Sequence, residues 1–411
     1  MRGLKMRITD VVATPVAIPL HKAETASKMR KGPNAVIAVI VQVFTDEGYV
    51  GIGETPAVLG LDLSAAIVNS TRPILLGQDP LEINRLIKQL YVQYSLAHLH
   101  IHLASWAFSG IELALWDIAA QAAEVPLYQL WGGSHRDRIE IIGVIERQEA
   151  DGMAAEAKRL VDMGFRSLYT KIGMDPEDDI AAMTAMRRGA PDMSIKLLGD
   201  ANQAWPIKVA VNTINRLEPL GIGWIEQPVM MYNLDALKEV KSKVNVPILG
   251  HESNWTMYNL LEVLKRDCVD YVKLDGRFDA GYHGVRISAG MAEAAGVRCV
   301  HHSYFQLGIS LAGSLHVMSA CPGFSMPCSM GEYGKMIDDV IEGGPLRMSD
   351  APYLDVPRQP GIGVKVDSSK LSRYNEFYIR EILEKGYERE TENPFYTAMY
   401  MRPYFKDFAA I

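Results

Sequence analysis

The feature that most constrains the fold is a series of short apolar segments after Gly133 that alternate with runs of helical spacing. This rhythm is typical of parallel strands joined by crossover helices. It predicts eight strands, over residues 139–144, 166–172, 195–200, 222–226, 246–250, 270–275, 297–302 and 328–332. Eight such units predict an α/β fold of the (β/α)8 barrel type. A doubly wound sheet is the alternative, and it is disfavoured because no glycine-rich dinucleotide loop opens the first unit.

From the second strand onward, each predicted strand ends in an ionisable residue. In chain order these residues are Lys171, Asp200, Glu226, Glu252, Asp275, His302 and Glu332. The active sites of barrel enzymes lie at the carboxyl ends of the strands. We therefore expect all seven side chains to face one site.

The residues before and after this series belong to other units. A three-stranded antiparallel meander is predicted over residues 6–19, 35–45 and 49–54, and helical spacing follows up to Val125. We expect an α+β domain over residues 1–133, the barrel over 134–339, and a C-terminal segment over 340–411 that returns to the first domain and ends in an aromatic-rich tail.

Composition narrows the class of protein. Hydrophobic residues make up 48% and charged residues 22%, as in ordinary globular proteins. The net charge of −7 argues against a nucleic-acid partner, which needs a basic surface. The four cysteines lack zinc or disulfide spacing, and neither a signal peptide nor a membrane span is predicted, so we expect a cytoplasmic protein with no membrane partner.

Three of the strand-end residues are predicted to hold a metal ion. Glu226 follows Asp200 by 26 residues, and Glu252 follows Glu226 by 26 more. Carboxylates from three neighbouring strands suit a hard cation, Mg²⁺ first and Mn²⁺ second. The alternative is that the acids pair with nearby arginines or cap backbone groups. Asn202 shares the strand face of Asp200, so it could touch the metal or the substrate or be an ordinary turn residue.

The remaining strand-end residues are predicted to move protons. Lys171 precedes the three acids and would be pushed toward its neutral, basic form beside a dication, unless it forms a salt bridge to one of them. Asp275 would orient and activate His302, or form a structural hydrogen bond at the rim. Glu332 could donate a proton or be a surface acid. This set suits abstraction of the proton alpha to a carboxylate, because a metal can stabilise the resulting ene-diolate.

At these residues the sequence resembles the mandelate racemase-like branch of the enolase superfamily, also called the mandelate racemase/muconate lactonizing enzyme family. The resemblance rests on Ser109–Asp117, Val125–Gly133, Asp200-Ala201-Asn202, Glu226-Gln227-Pro228, Glu252, Asp275 with Ala280-Gly281, His302 and Glu332. It implies Mg²⁺ dependence, an α+β capping domain over a modified barrel, and a homo-oligomer, often a dimer or an octamer.

The sequence departs from that family on the second strand. The family usually has Lys-x-Lys, whereas Tyr169-Thr170-Lys171 keeps only the second lysine. Loss of the neighbouring charge should leave the pKa of Lys171 higher, so His302 is expected to be the more important catalyst and Tyr169 to lie at the substrate. Aspartate at position 275 argues against the muconate cycloisomerase and dipeptide epimerase branches, which would want lysine there.

Within the branch that carries an Asp–His pair, most members with a known role dehydrate acid sugars. By that analogy we expect an acid-sugar dehydratase that forms a 2-keto-3-deoxy acid. The alternatives are a racemase or epimerase of a 2-hydroxy acid and a non-enzymatic binding protein. A basic loop, His21–Asn34, is expected to place Arg30 or Lys31 at the far end of the substrate, or else to be a solvated surface loop.

Overall fold

The computed structural model describes residues 6–21, 35–56, 61–95, 101–303, 306–330 and 334–384. Its first unit is an antiparallel sheet of three strands, β1 (Ile8–Pro19), β2 (Ala35–Thr45) and β3 (Val50–Pro56). The strands pair in chain order, as the predicted meander requires. Their β-branched residues favour this extended backbone.

Helices cover one face of this sheet. They are α1 (Leu61–Ser70), α2 (Arg72–Leu75), α3 (Ile83–Leu90) with a π-helical turn over Tyr91–Ser95, α4 (Ile101–Ala122) and α5 (Leu127–Leu130). The sheet and α4 approach closely because glycines face each other, Gly51 and Gly53 on β3 and Gly110 on α4. The shared core includes Val41, Ile111 and Ile118.

The second unit is a curled sheet of seven parallel strands in sequential order. The strands are β5 (Gly143–Val144), β6 (Ser167–Lys171), β7 (Lys196–Asp200), β8 (Ile222–Glu226), β9 (Ile248–Gly250), β10 (Tyr271–Leu274) and β11 (Arg298–His301). The connecting helices are α6 (Ala150–Asp162), α7 (Pro176–Gly189), α8 (Ile207–Leu217), α9 (Leu234–Lys243), α10 (Met257–Lys265), α11 (Gly281–Ala294) and, after β11, α12 (Gly308–Ala320). The predicted α/β fold, a barrel-type sheet with a capping domain, is confirmed.

The structure corrects the first and last predicted strands. Residues 139–144 do not form one strand: β4 (Arg138–Glu140) pairs antiparallel with β12 (Tyr353–Asp355), and only β5 joins the parallel sheet. The break lies at Ile141, whose N–H donates to Pro352 O instead of to a barrel strand. In place of a strand over 328–332, the described part has an isolated bridge from Ile141 to Cys328. The next residue, Ser329, donates to His301 O, so this segment lies between β11 and the start of the sheet.

Alternation along the strands separates the inside of the curled sheet from the helix layer. The interior is filled by Ile142, Tyr169, Leu198, Trp224, Leu249 and Val300, while their neighbours pack against the helices. Two residues further along, the same inward face carries Lys171 on β6, Asp200 on β7 and Glu226 on β8. The floor of the site is therefore apolar, and the next layer is ionisable.

The capping domain is joined to the barrel through buried carboxylates. Glu54 on β3 accepts hydrogen bonds from the N–H groups of Leu307 and Ser310 at the start of α12, at 2.9 and 2.8 Å. Glu112 on α4 accepts one from His283 N in α11, at 2.7 Å. Anionic groups are favourable at helix N-termini, so these contacts seat the cap at the strand ends that carry the site.

Part of the C-terminal segment packs against the first unit. Helix α13 (Ser368–Tyr378), followed by a π-helical stretch over Ile379–Glu384, packs on β1, where Asn375 Nδ2 donates to Pro15 O at 2.7 Å. The N–H of Leu127 donates to Gly361 O. The domain boundaries themselves remain predictions, and the aromatic tail lies outside the described residues. Within the described ranges, no helix has the length and apolar character needed to cross a membrane.

Candidate active site

Three buried carboxylates come together at the carboxyl ends of consecutive strands. Asp200 ends β7 and Glu226 ends β8, and the two are direct partners in the parallel register. Glu252 lies in the turn just after β9. Asp200, Glu226 and Glu252 are 1%, 1% and 2% exposed. Because water does not reach them, a negative charge on each must be stabilised by neighbouring protein groups.

Each carboxylate has its own set of donors. Asp200 Oδ2 accepts hydrogen bonds from Tyr169 OH at 2.7 Å and from Lys171 Nζ at 2.6 Å. Glu226 Oε2 accepts one from Lys273 Nζ at 2.5 Å. Glu252 Oε1 accepts two, from the side-chain amides of Asn202 at 3.1 Å and Gln203 at 3.2 Å. None of these donors is an arginine, but Asp200 Oδ1 also accepts the backbone N–H of Asn202 at 2.8 Å, so the backbone capping that the alternative predicted is present at this one acid.

The chemistry of this donor set fits a hard divalent cation. Glu226 Oε1 and Glu252 Oε2 are buried and accept no hydrogen bond among the described residues, although such orphaned acceptors are costly. His251 Nδ1 lies 3.1 and 3.6 Å from these two oxygens, but its N–H does not point along a hydrogen bond to either. The described side chains place no three acidic, histidine or cysteine groups at ligand spacing. The ammonium groups of Lys171 and Lys273 instead hold Asp200 and Glu226.

Lys171, at the end of β6, lies beside Asp200 and binds two side chains. Its Nζ is 2.6 Å from Asp200 Oδ2 and 2.6 Å from Asn202 Oδ1. Burial alone would lower the pKa of Lys171, but the carboxylates of Asp200, Glu226 and Glu252 outweigh it and raise the pKa. The salt bridge to a candidate ligand, predicted as the alternative for Lys171, is thus present, and the role of this lysine as a base remains a prediction.

Asp275 and His302 form a pair at the ends of β10 and β11, on the side of the three acids opposite to Lys171. His302 Nδ1 is 2.9 Å from Asp275 Oδ2, which assigns the proton to Nδ1 and the lone pair to Nε2. Burial would raise the pKa of Asp275, but Arg277 and His302 hold it well below its usual range. Burial, and then the neighbouring His251, lower the pKa of His302 well below its ordinary value. Both effects favour the neutral ring, whose lone pair is on Nε2.

Three residues of this cluster were missed by the sequence-based prediction. Lys273 and His251 lie on the inward face of β10 and just after β9, two residues beyond the apolar interior positions, so strand alternation could have identified them. Arg277 is fully buried, and its Nε and Nη2 donate to the two oxygens of Asp275 at 3.1 and 2.7 Å. The Asp-Gly-Arg order made this contact possible without requiring it.

An aromatic cluster borders the Asp275–His302 pair. Phe278 packs edge-on against His302 with ring centroids 5.4 Å apart, and Trp255 stacks on Phe278 at 5.5 Å. Trp106 of the cap packs edge-on against Phe278 at 5.5 Å. The His251 and His302 rings are 4.3 Å apart. Trp255 is only partly buried, whereas Phe278 and Trp106 are buried.

The other predicted site residues are placed as follows. Tyr169 is buried and its hydroxyl donates a hydrogen bond to Asp200. Its contact with substrate remains a prediction. Asn202 has a positive φ of 41° and bridges Lys171 and Glu252, so it is part of the cluster and not an ordinary turn residue. His301, the neighbour of His302 in the chain, is fully buried, with its ring 6.0 Å from Phe324. Glu332, Arg30 and Lys31 lie outside the described residues.

Two family models match this chain. The model described as "Mandelate racemase / muconate lactonizing enzyme, N-terminal domain" matches residues 7–132. The model described as "Enolase C-terminal domain-like" matches residues 152–370. Between them they span the cap, the barrel strands β6 to β11 and the start of α13.

Characterised relatives carry several different activities. An arabinonate dehydratase from Saccharolobus solfataricus is 31% identical over 82% of this chain and 90% of its own length. An L-Ala-D/L-Glu epimerase from Bacillus subtilis is 30% identical over 87% and 97%. An N-succinyl-L-Arg/Lys racemase from Bacillus cereus is 26% identical over 90% and 99%.

Solved structures share the whole architecture. An enolase from Mycobacterium smegmatis complexed with tartrate has a TM-score of 0.82 at 26% identity, and the match covers 94% of this chain and 95% of that one. An isomerase from Streptomyces coelicolor has a TM-score of 0.80 at 28% identity and covers 92% and 99%.

Proposed function

Because this chain belongs to the mandelate racemase / muconate lactonizing enzyme family of the enolase superfamily, we propose that it abstracts the proton alpha to a carboxylate and dehydrates an acid sugar. The observation that carries the proposal is the placement of two proton-handling groups around one acid cluster. Lys171 contacts Asp200 on one side, and the Asp275–His302 pair lies beyond His251 on the other. A substrate between them would have a proton-transfer group on each face.

Asp200, Glu226 and Glu252 would hold the divalent cation, Mg²⁺ by preference. When bound, such a cation supplies Lewis acidity that stabilises the two negative charges of an ene-diolate. The three acids contribute a dry, oxygen-rich pocket, because all three are almost fully buried. Asn202 and Gln203 orient Glu252 by donating to its Oε1.

His302 is the favoured proton-transfer residue. Asp275 accepts the Nδ1 proton and so directs Nε2 as the lone-pair nitrogen, while Arg277 keeps Asp275 ionised. In dehydration, Nε2 would take the proton alpha to the carboxylate or return one to the leaving hydroxyl. The dehydratase among the relatives supports this reaction. The product would be a 2-keto-3-deoxy acid.

Racemisation or epimerisation of a 2-hydroxy acid is the second candidate, and the aromatic cluster favours it. Phe278 packs edge-on against His302, and the partly exposed Trp255 stacks on Phe278. An aromatic surface beside the proton-transfer residue would suit a substrate with a hydrocarbon or aryl group better than a fully hydroxylated chain. The racemase among the relatives supports inversion at a carbon alpha to a carboxylate, although its name gives an N-succinyl amino acid and not a 2-hydroxy acid as substrate. Here Lys171 and His302 would exchange protons with opposite faces of one carbon.

Proton NMR in D₂O with Mg²⁺ tests both candidates. The panel comprises aldonic acids, aldaric acids, simple 2-hydroxy acids and 2-hydroxy acids with aryl groups. Loss of a substrate with appearance of a 2-keto-3-deoxy acid establishes dehydration. Deuterium at C2 without elimination establishes racemisation instead. If no compound exchanges its alpha proton, the proposal fails. It also fails if a compound does exchange and chelation of the cation with EDTA leaves the rate unchanged.

A further inference from the structure

A buried lysine from another strand holds one of the three candidate metal ligands. Lys273, on β10, is 2% exposed, and its Nζ lies 2.5 Å from Glu226 Oε2. Glu226 comes from β8, two strands away in the sheet order, so the contact crosses the barrel interior. A lysine is rarely buried unless it is paired. Here the pair occupies Glu226 Oε2, an oxygen that could otherwise bind the cation.

Lys273 has a second partner that does not compete with a cation. Its Nζ lies 5.1 Å from the ring centroid of Tyr169, within the range of a cation–π interaction. The Tyr169 hydroxyl donates to Asp200, which fixes the ring in place. A lysine at position 169 would bring another ammonium group close to Lys273 and repel it. An aromatic ring at this position accommodates the charge.

We propose that Lys273 is a built-in counter-cation that occupies Glu226 until a divalent cation displaces it. The inference rests on the metal-binding part of the proposed function and assigns a role to a residue outside the predicted catalytic set. Before displacement, Lys273 neutralises one carboxylate of a three-acid cluster whose members would otherwise repel each other. After displacement, the ammonium group stays against the Tyr169 ring. The affinity for the cation is then set by competition with Lys273.

Titration of Mn²⁺ into the K273M variant, followed by calorimetry, tests the competition directly. Methionine has a similar length and no charge, so it vacates Glu226 without leaving a large cavity. We expect the Kd for Mn²⁺ to fall at least about tenfold relative to the unmodified protein, which corresponds to roughly 1.4 kcal/mol. Without a cation the variant should melt at a lower temperature, and Mg²⁺ should raise its Tm by more than it raises that of the unmodified protein.

The matched control is K241M. Lys241 also pairs with a carboxylate, with Nζ 2.6 Å from Asp267 Oδ1, but that acid is exposed and far from the site in the structure. K241M should leave the Kd for Mn²⁺ unchanged. K273Q is the second variant in case K273M does not fold, since its amide can still donate to Glu226, and it should also tighten Mn²⁺ binding.

The E226Q variant separates failure of this inference from failure of the proposed metal site. If the unmodified protein binds Mn²⁺, E226Q loses it and K273M binds no more tightly, the metal site stands and the role of Lys273 is overturned. Weaker binding in K273M also overturns it, because the lysine would then support the cation and not compete with it. If none of the proteins binds Mn²⁺, both proposals fail together.

Discussion

The ionisable side chains at the end of the barrel form one connected series of contacts. Lys171 contacts Asp200 and Asn202, and Asn202 contacts Glu252. His251 lies beside both Glu252 and Glu226, and Glu226 contacts Lys273. The His251 ring lies tilted 4.3 Å from the ring of His302, which bonds Asp275. In such a series the state of each group depends on its neighbours, so the effects of substitutions within it should not add. The effect of each single substitution is therefore best read against a matched control.

H302N should abolish turnover while cation binding persists. Asparagine keeps a donor toward Asp275 but cannot accept a proton at the position of Nε2, and loss of a general acid–base residue typically lowers kcat by about 10²–10⁴-fold. The measurement is kcat on the substrate found by NMR, alongside Mn²⁺ titration. Turnover within tenfold of the unmodified enzyme would contradict the assignment of His302.

Next to the Asp275–His302 pair, R277M should strongly destabilise the protein. Arg277 is fully buried, and methionine would leave the Asp275 carboxylate without its fork of two donors. Removing one partner of a buried ion pair typically costs about 3–5 kcal/mol of unfolding free energy. Urea denaturation measures it.

The control for R277M is R216M, which removes an exposed arginine paired with Glu177. It should have little effect, because solvent screens exposed pairs. R277K should fall between, since lysine retains the charge but not the planar fork. Equal stability of R277M and R216M would show that Asp275 does not need its arginine.

At the scale of elements, the cap and the barrel meet at helix starts whose backbone is unusual. Helix α11 begins at Gly281, which has a φ of 86°, and the preceding Ala280 has a φ of 63°. Both values lie in the left-handed region. A Cβ on Gly281 would collide with the carboxylate of Glu112, which accepts the His283 N–H. This glycine therefore lets the cap approach the barrel.

G281A should consequently lower the free energy of unfolding by about 1–3 kcal/mol from backbone strain, with a further loss from the collision. G290A, in the same helix, is the matched control. Gly290 is exposed, and an added Cβ there meets nothing within 4 Å, so alanine should raise stability by up to about 1 kcal/mol. Thermal or urea unfolding distinguishes the two. A neutral G281A would mean that the cap can shift at little cost.

At the scale of the whole molecule, one buried histidine links three parts of the chain. His316 on α12 accepts a hydrogen bond from Tyr128 N at its Nδ1, and its Nε2 donates to Ile362 O at 3.1 Å. Both nitrogens of the neutral ring are thus used, by the end of the first unit and by the C-terminal segment. Protonation would remove the acceptor that Tyr128 needs.

The stability of the protein should therefore fall as the medium becomes acidic. Burial lowers the pKa of His316 from 6.5 to about 4, although its bond to Ile362 opposes the shift. Between pH 6.5 and pH 4, His316 binds a proton in the unfolded chain but stays neutral in the folded protein. The free energy of unfolding then drops by roughly 1.4 kcal/mol per pH unit at most. The loss levels off below pH 4, and above pH 6.5 the group contributes no pH dependence.

H316Q tests this sign, because glutamine cannot titrate and can still donate to Ile362 O. Urea denaturation from pH 4 to 7.5 should give a shallower decline for H316Q than for the unmodified protein. Every other titrating group is common to both, so the difference isolates His316. Parallel curves would contradict the predicted linkage.

Much of the architecture could be predicted from the sequence because its signals are local. Strand and helix periods lie within single elements, so the order of strands β6 to β11 and the positions of Asp200, Glu226, Asp275 and His302 at their ends followed directly. The pairing of Asp275 with His302 also followed, because the ends of adjacent parallel strands are neighbours. Register in a parallel sheet leaves little freedom at these positions.

The tertiary structure alone decided which charges pair. The sequence is compatible with Lys171 as a free base or in a salt bridge, and the curvature of the sheet brings its ammonium onto Asp200 and Asn202. Lys273 reaches Glu226 across the interior, a contact between residues on strands that are not adjacent. Long side chains choose partners by distance in space, which depends on how the whole sheet curls. The same holds for residues 139–144, where pairing with the distant β12 divided one predicted strand into two.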